Sequence, residues 1–241
     1  FMLAYLAGQK AGAIVVSINS MFKSDEVKYI LNDSGAKIVF TTAEFLPNIP
    51  RNLCPKLQQT VICEGEAANE IVLGDWLAAG KAGMRSLDMH PDDPAALLYS
   101  SGTTGFPKGV TLTHNNIISN VRTTARASGF TGADKLAVFL PLFHVFAQDF
   151  IMNAGFEVGA TLVLFRRFVP DAVLDGIQRE RATMFFAVPT IYIALLSAGI
   201  PKEKLASIRY FFSAAATMPQ EISRRWTEIY GQPVYEGYGL T

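Results

Sequence analysis

Cysteine is scarce: Cys54 and Cys63 are the only two in 241 residues, too few and too loosely spaced for a disulfide framework or a zinc site. A reducing, cytoplasmic compartment is therefore expected. An imbalance of charge is missing as well, since 21 Lys and Arg face 21 Asp and Glu. Nothing pulls the chain as a whole toward nucleic acid, and no nucleic-acid partner is expected. Long apolar runs are also absent. Pro141 and His144 interrupt the run from Leu136, and Pro189 interrupts the one from Thr183, so none reaches the ~18 residues that a bilayer span requires. The opening residues Phe1 to Gly12 read as a core helix already under way rather than as a signal peptide, and no internal repeat or low-complexity segment follows.

What the chain has in abundance is apolar surface. Half of its residues are hydrophobic, 17% are charged and 11% are aromatic, a balance that fits a buried parallel sheet or an apolar pocket and excludes disorder. The length allows one large domain or two lobes. After the opening helix, Ala13 to Ile18 reads as a buried strand, Ser24 to Leu31 as a helix closing at Ser34-Gly35, and Ala36 to Thr41 as the next strand. Thr60 to Cys63 is a short strand, and a helix surrounds Trp76. His90-Pro91-Asp92-Asp93-Pro94 is a turn-rich linker and the expected lobe boundary. The second half alternates strand and helix: strands over 135–140, 161–165, 183–187, 208–212 and 234–238, and helices over 116–128, 144–156, 171–179, 189–198 and 219–230. This βαβα rhythm predicts an α/β fold of stacked, mostly parallel sheets covered by helices.

Between the apolar run Ala95 to Tyr99 and the β-branched run Val110 to Thr113 lies Ser100-Ser101-Gly102-Thr103-Thr104-Gly105-Phe106-Pro107-Lys108-Gly109. Two short strands around such a loop predict a hairpin. Its tip is dense in donors. Gly102 and Gly105 let backbone N–H groups turn inward, Ser100, Ser101, Thr103 and Thr104 add hydroxyls, and Lys108 adds a mobile positive charge. That inventory suits phosphate. It is not a Walker A loop, because Pro107 stands where a Gly is required and a strand rather than a helix follows. A solvated Gly/Ser/Thr loop is the plainer alternative.

Tyr99 to Gly109, with Thr111 to His114 behind it, resembles the phosphate-loop signature of the adenylate-forming superfamily of acyl-CoA synthetases, peptide-synthetase adenylation domains and luciferases. Pro141-Leu142-Phe143-His144-Val145-Phe146-Ala147 and Tyr235-Glu236-Gly237-Tyr238-Gly239-Leu240-Thr241 are similar to two further motifs, in the same order. The resemblance implies the layered αβαβα large N-terminal domain of these enzymes over residues 1–241, incomplete. It implies ATP, Mg²⁺ and coenzyme A as reaction partners. A carboxylate attacks the α-phosphorus of ATP to give an acyl-adenylate, and a thiol then displaces AMP. Under it Thr104, Lys108, His144 and Thr241 serve the reaction. The nucleotide falls to Ser100, Ser101, Gly102, Thr103, Thr104, Gly105, Lys108, Ala215, Glu236, Gly237, Tyr238, Gly239 and Thr241. The acyl group falls to His144, Val145, Phe146, Ala214, Ala215 and Gly239.

Taken as residues, His144 reads equally as a core histidine, and Tyr238 as an aromatic strand end packed in a core. Ser213 to Pro219 resembles the family segment that walls the adenine and acyl pocket, with a departure: Ala214, Ala215 and Ala216 stand where the family usually carries one to three glycines. Each added methyl narrows the space beside a ligand. The substrate that the motifs imply is a medium- or long-chain fatty acid, with peripheral membrane association through that substrate and a homodimer as the partners to expect. Aryl-acid ligases, carrier-protein adenylation domains and a non-catalytic scaffold are the alternatives. No metal ligand is assigned within the chain, because the family's Mg²⁺-binding Glu falls one residue beyond Thr241. The ribose Asp, the hinge and the small C-terminal domain with its Lys fall further on. A fragment inactive by itself is the expectation.

Overall fold

The structure is a computed structural model that describes residues 1–100 and 107–240. The chain forms two compact units, Phe1–Asn116 and Ile117–Thr241, and His90 to Pro94 lies within the first.

In the first unit the elements run α1 (Met2–Lys10), β1 (Val15–Ser17), α2 (Ser24–Ser34), β2 (Ile38–Thr42), β3 (Gln59–Glu64), β4 (Ile71–Val72), α3 (Leu73–Ala79), β5 (Pro94–Ser100) and β6 (Lys108–Thr113). Strands β2, β3 and β4 form one parallel sheet. In the other, β1 pairs parallel with β5, and β5 pairs antiparallel with β6. The expected hairpin is thus present, each strand two residues longer than the apolar pattern suggested. Helix α4 (His114–Ala127) opens with a reciprocal cap. The Asn116 N–H donates to Thr113 Oγ1 at 3.1 Å and the Thr113 N–H to Asn116 Oδ1 at 3.0 Å. This satisfies two of the donors that a helix start leaves open.

The second unit is one five-stranded parallel sheet. Its strands are β7 (Lys135–Val138), β8 (Thr161–Leu164), β9 (Met184–Ala187), β10 (Tyr210–Ser213) and β11 (Val234–Glu236), in the order β8-β7-β9-β10-β11. The crossovers carry α5 (Ala154–Glu157), α6 (Pro170–Glu180), α7 (Pro189–Ser197) and α8 (Gln220–Tyr230). The inner strands β7, β9 and β10 are buried on two faces, and alternate residues serve them. Phe185 and Phe211 join Val173, Ile177, Tyr192, Leu195 and Trp226 under α6, α7 and α8. Phe186 and Phe212 instead meet Phe130, Phe146 and Phe150 on the opposite face. Gly231 ends α8 in the left-handed conformation, φ 76°, where a side chain would be strained.

The sequence pattern predicts an α-helix over 144–156. Residues Phe146–Asn153 form a π-helix instead, continued by α5. Such wide turns concentrate at functional sites. Six of its eight residues are buried, so the apolar pattern around it has too little contrast to fix a 3.6-residue period. The strand expected over 135–140 ends at Val138, and the two-residue β4 lies just before the helix around Trp76, where the sequence pattern gives no strand. Among the described residues no helix is long and apolar enough to cross a membrane.

Candidate functional site

In the strand order of the second unit the chain leaves β7 toward β8 and returns to β9 on the other side. The loops after β7 and β9 therefore lead to opposite sides, and the carboxyl ends of strands at such a reversal are where open α/β sheets bind their ligands. The His144 loop follows β7. Its backbone is pinned by the His144 N–H donating to the Pro141 carbonyl at 3.1 Å, and by the Gln148 N–H donating to the His144 carbonyl at 2.9 Å. His144 Nδ1 accepts from the Phe146 N–H at 3.2 Å. An accepting Nδ1 places the proton of the neutral ring on Nε2. The imidazole reaches solvent, yet the groups packed beneath it desolvate it and lower its pKa below the ordinary histidine value, which favours that neutral form at pH 7.

The third motif meets this loop through a residue that sequence reasoning missed. Phe212, at the end of β10, stacks on Phe150 of the π-helix with centroids 4.4 Å apart, and lies 5.9 Å from Phe146. On its other side Gly237 lies so close that a Cβ there would stand 2.3 Å from Phe212 Cζ. Gly237 is thus required for close approach, and its N–H donates to the Ser213 carbonyl at 3.0 Å. Tyr192 Oη donates to the Phe212 carbonyl at 3.0 Å from within the core. His144, Phe146, Phe212 and Gly237 are in this way held at one end of one sheet by packing and backbone bonds. Tyr235 stacks on Tyr210, 5.0 Å between centroids, whereas Tyr238 is 90% exposed and buried in no core. Val145 is half-buried, and Glu236 and Gly239 are exposed.

Of the three alanines 214–216, Ala214 buries its methyl, while Ala215 and Ala216 face solvent. Ala215 holds φ at 71°, a left-handed backbone that costs a residue with a Cβ about 1–2 kcal/mol. Asp149 is a second residue that the sequence reading passed over. It is buried in the π-helix, where burial pushes its carboxyl up to about 6 although Asn153 Nδ2 donates to it at 2.7 Å.

In the first unit, Ser100 and Lys108 are cross-strand partners at the mouth of the β5–β6 hairpin. Lys108 is exposed. Ser101, Gly102, Thr103, Thr104 and Gly105, and Thr241 at the far end of the chain, lie outside the described residues. Among the described residues no three His, Cys, Asp or Glu side chains converge as a metal site.

The second unit, a parallel sheet whose strand order reverses direction between β7 and β9, is of the doubly wound α/β class. The chain belongs to the AMP-binding enzyme family, whose pattern matches residues 1–241. It is 31% identical over 246 residues to a benzoate–CoA ligase of Thauera aromatica, covering all of this chain and 46% of that protein. Among solved structures, the anthranilate CoA ligase AuaEII in complex with anthranoyl-AMP superposes with a TM-score of 0.91 at 31% identity, over 98% of this chain and 47% of that one. ATP-bound MatB from Rhodopseudomonas palustris gives 0.89 at 30% identity, over 99% and 47%. The chain spans about half the length of the proteins it matches.

Proposed function

We propose that this chain carries the ATP- and acid-binding part of an AMP-forming acid–CoA ligase whose substrate is an aromatic carboxylic acid. The observation that carries the reading is the ring wall of Phe146, Phe150 and Phe212 behind His144. Rings stacked against one another fill the space between sheet and π-helix, which suits a flat acid at the mouth better than a long chain threading the interior. The benzoate and anthranilate ligases among its relatives support the same class. The fatty-acyl reading that the motifs suggest is the competitor, favoured by the wholly apolar Val145-Phe146-Ala147 beside His144.

In this reading a carboxylate oxygen bonds to the α-phosphorus of ATP as the bond to pyrophosphate breaks, and a thiol then attacks the acyl carbon and releases AMP. Lys108 with Ser100, Ser101, Thr103 and Thr104 holds the β- and γ-phosphates and receives the charge that grows on departing pyrophosphate. Gly102 and Gly105 bring backbone N–H groups to the same oxygens. Tyr238 offers its exposed face to adenine, beside Glu236, Gly237, Gly239 and Ala215, and Thr241 reaches the phosphate where the adenylate forms. His144, as a neutral Nε2–H donor, orients the carboxylate without an added positive charge that would blunt its nucleophilicity. Ala214 and Ala215 set the width of the slot. Mg²⁺, when bound, neutralises phosphate charge.

The test is thioester formation by the protein expressed from its whole reading frame, with ATP, coenzyme A and either benzoate and anthranilate or saturated fatty acids of graded length. Aromatic acids should give the higher kcat/KM. A higher value for fatty acids overturns the aromatic reading, and no acid-dependent AMP release with any of them overturns the ligase reading.

A further inference from the structure

The base of the hairpin is tied down by a contact that the reaction scheme does not use. On β5, Tyr99 pairs across the ladder with Gly109 of β6, one step before the Ser100 and Lys108 pair. Its ring covers Gly109 so closely that a Cβ there would lie 3.1 Å from Tyr99 Cζ and 3.2 Å from its Oη. The hydroxyl then donates to Asp33 Oδ2, on α2, at 2.6 Å, across 66 residues of sequence. Burial first, and then the bond to Asp33, push the phenol well above the ordinary tyrosine value, so it remains a donor throughout the neutral range. Because side chains alternate along a strand, Tyr99 and Gly109 occupy one face of the hairpin and Ser100 and Lys108 the other.

We propose that Tyr99 is a positioning residue for nucleotide phosphates: clamped between Gly109 and Asp33, it fixes the strand ends from which Ser100 and Lys108 project. The inference rests on the phosphate-holding role proposed above for Lys108. A flexible lysine gains little from a loop that rocks on its helix, whereas strand ends held in one register present hydroxyl and ammonium together and spare the ordering cost at binding.

Three variants test it in the protein expressed from its whole reading frame. Tyr99→Phe keeps the ring on Gly109 and removes the bond, Asp33→Ala removes the acceptor, and Asp33→Asn restores a neutral one. Tyr99→Phe and Asp33→Ala should each raise KM for ATP about five- to tenfold, the size of one ordinary intramolecular hydrogen bond. They should leave AMP binding and KM for the acid within about twofold, since AMP lacks the β- and γ-phosphates. Asp33→Asn should recover most of the loss, and the double variant should be no worse than either single one. A lowered melting temperature with KM for ATP unchanged, or losses that multiply in the double variant, overturns the positioning role. Lys108→Ala is the control that separates the two readings: if it leaves ATP binding unchanged, the phosphate role of the hairpin fails, and this inference with it.

Discussion

Asp134 sets the acid limit of the second unit. Its side chain is 3% exposed at the start of β7, and its carboxylate collects donors from three directions. Arg209 Nε and Nη2 donate at 2.8 and 2.6 Å, Thr183 Oγ1 at 2.7 Å, and both the N–H and Oγ1 of Thr131 at 2.8 Å. Arg209 also reaches the Gly129 carbonyl at 2.7 Å, so one guanidinium joins the loop before β7 to the start of β10. Burial by itself would raise the carboxyl. The donors outweigh it and hold the group at about 2, against an ordinary 3.8. At ~1.4 kcal/mol per unit, that gap is worth about 2–3 kcal/mol of stability. The sign follows from the depressed value. This stability is fully present above the unfolded pKa near 4 and is lost as pH falls toward 2.

Asp134→Asn keeps the shape and removes the charge. It should cost about 2–3 kcal/mol at pH 7, where the charged pair and two of its hydrogen bonds are lost, and the cost should shrink between pH 4 and pH 2. Arg209→Met should cost more than Asp134→Asn at pH 7, because it leaves a buried carboxylate without its counter-charge. The assay is urea unfolding followed by tryptophan fluorescence, since Trp226 is fully buried in the same sheet unit, repeated at pH 7, 4, 3 and 2 with the slope m compared throughout. If the difference in stability between wild type and Asp134→Asn stays constant over that range, or is below about 0.5 kcal/mol at pH 7, then Asp134 is not the clasp that its geometry indicates.

Two further outcomes are expected in the same unit. Ala215→Gly should raise stability by about 1 kcal/mol in urea melts, because relief of the left-handed strain exceeds the extra chain entropy that glycine brings; a loss of stability would show that the methyl is packed rather than strained. Gly237→Ala should cost about 1–3 kcal/mol through the clash with Phe212, and adding Phe212→Leu should recover part of it. Additive losses in the double variant would separate the two residues and undo the link drawn between the motifs.

The features legible in the sequence are those written over short spans. Thr113 and Asn116 announce the start of α4 because a cap needs only a side-chain oxygen three residues from an open N–H, and Gly231 announces the end of α8 because only glycine is at ease with φ 76°. The hairpin, the parallel βα alternation and the place of His144 after a strand were readable for the same reason. Strand order is different. That β9 lies beside β7 and not beside β8 depends on which faces bury best together, and no local pattern states it. The π-helix escapes too, since a run apolar on every side carries no phase from which to see a turn widen. Phe212 is the instructive case: as a residue in an apolar strand it looks like any other core aromatic, and only the alternation of β10 decides that it faces Phe150 and not Trp226. Motifs identify which residues a site uses, but their juxtaposition is set by a residue outside all of them. The ring that holds Gly237 against the π-helix is therefore the first place where a substitution that leaves every motif intact should still disturb the site.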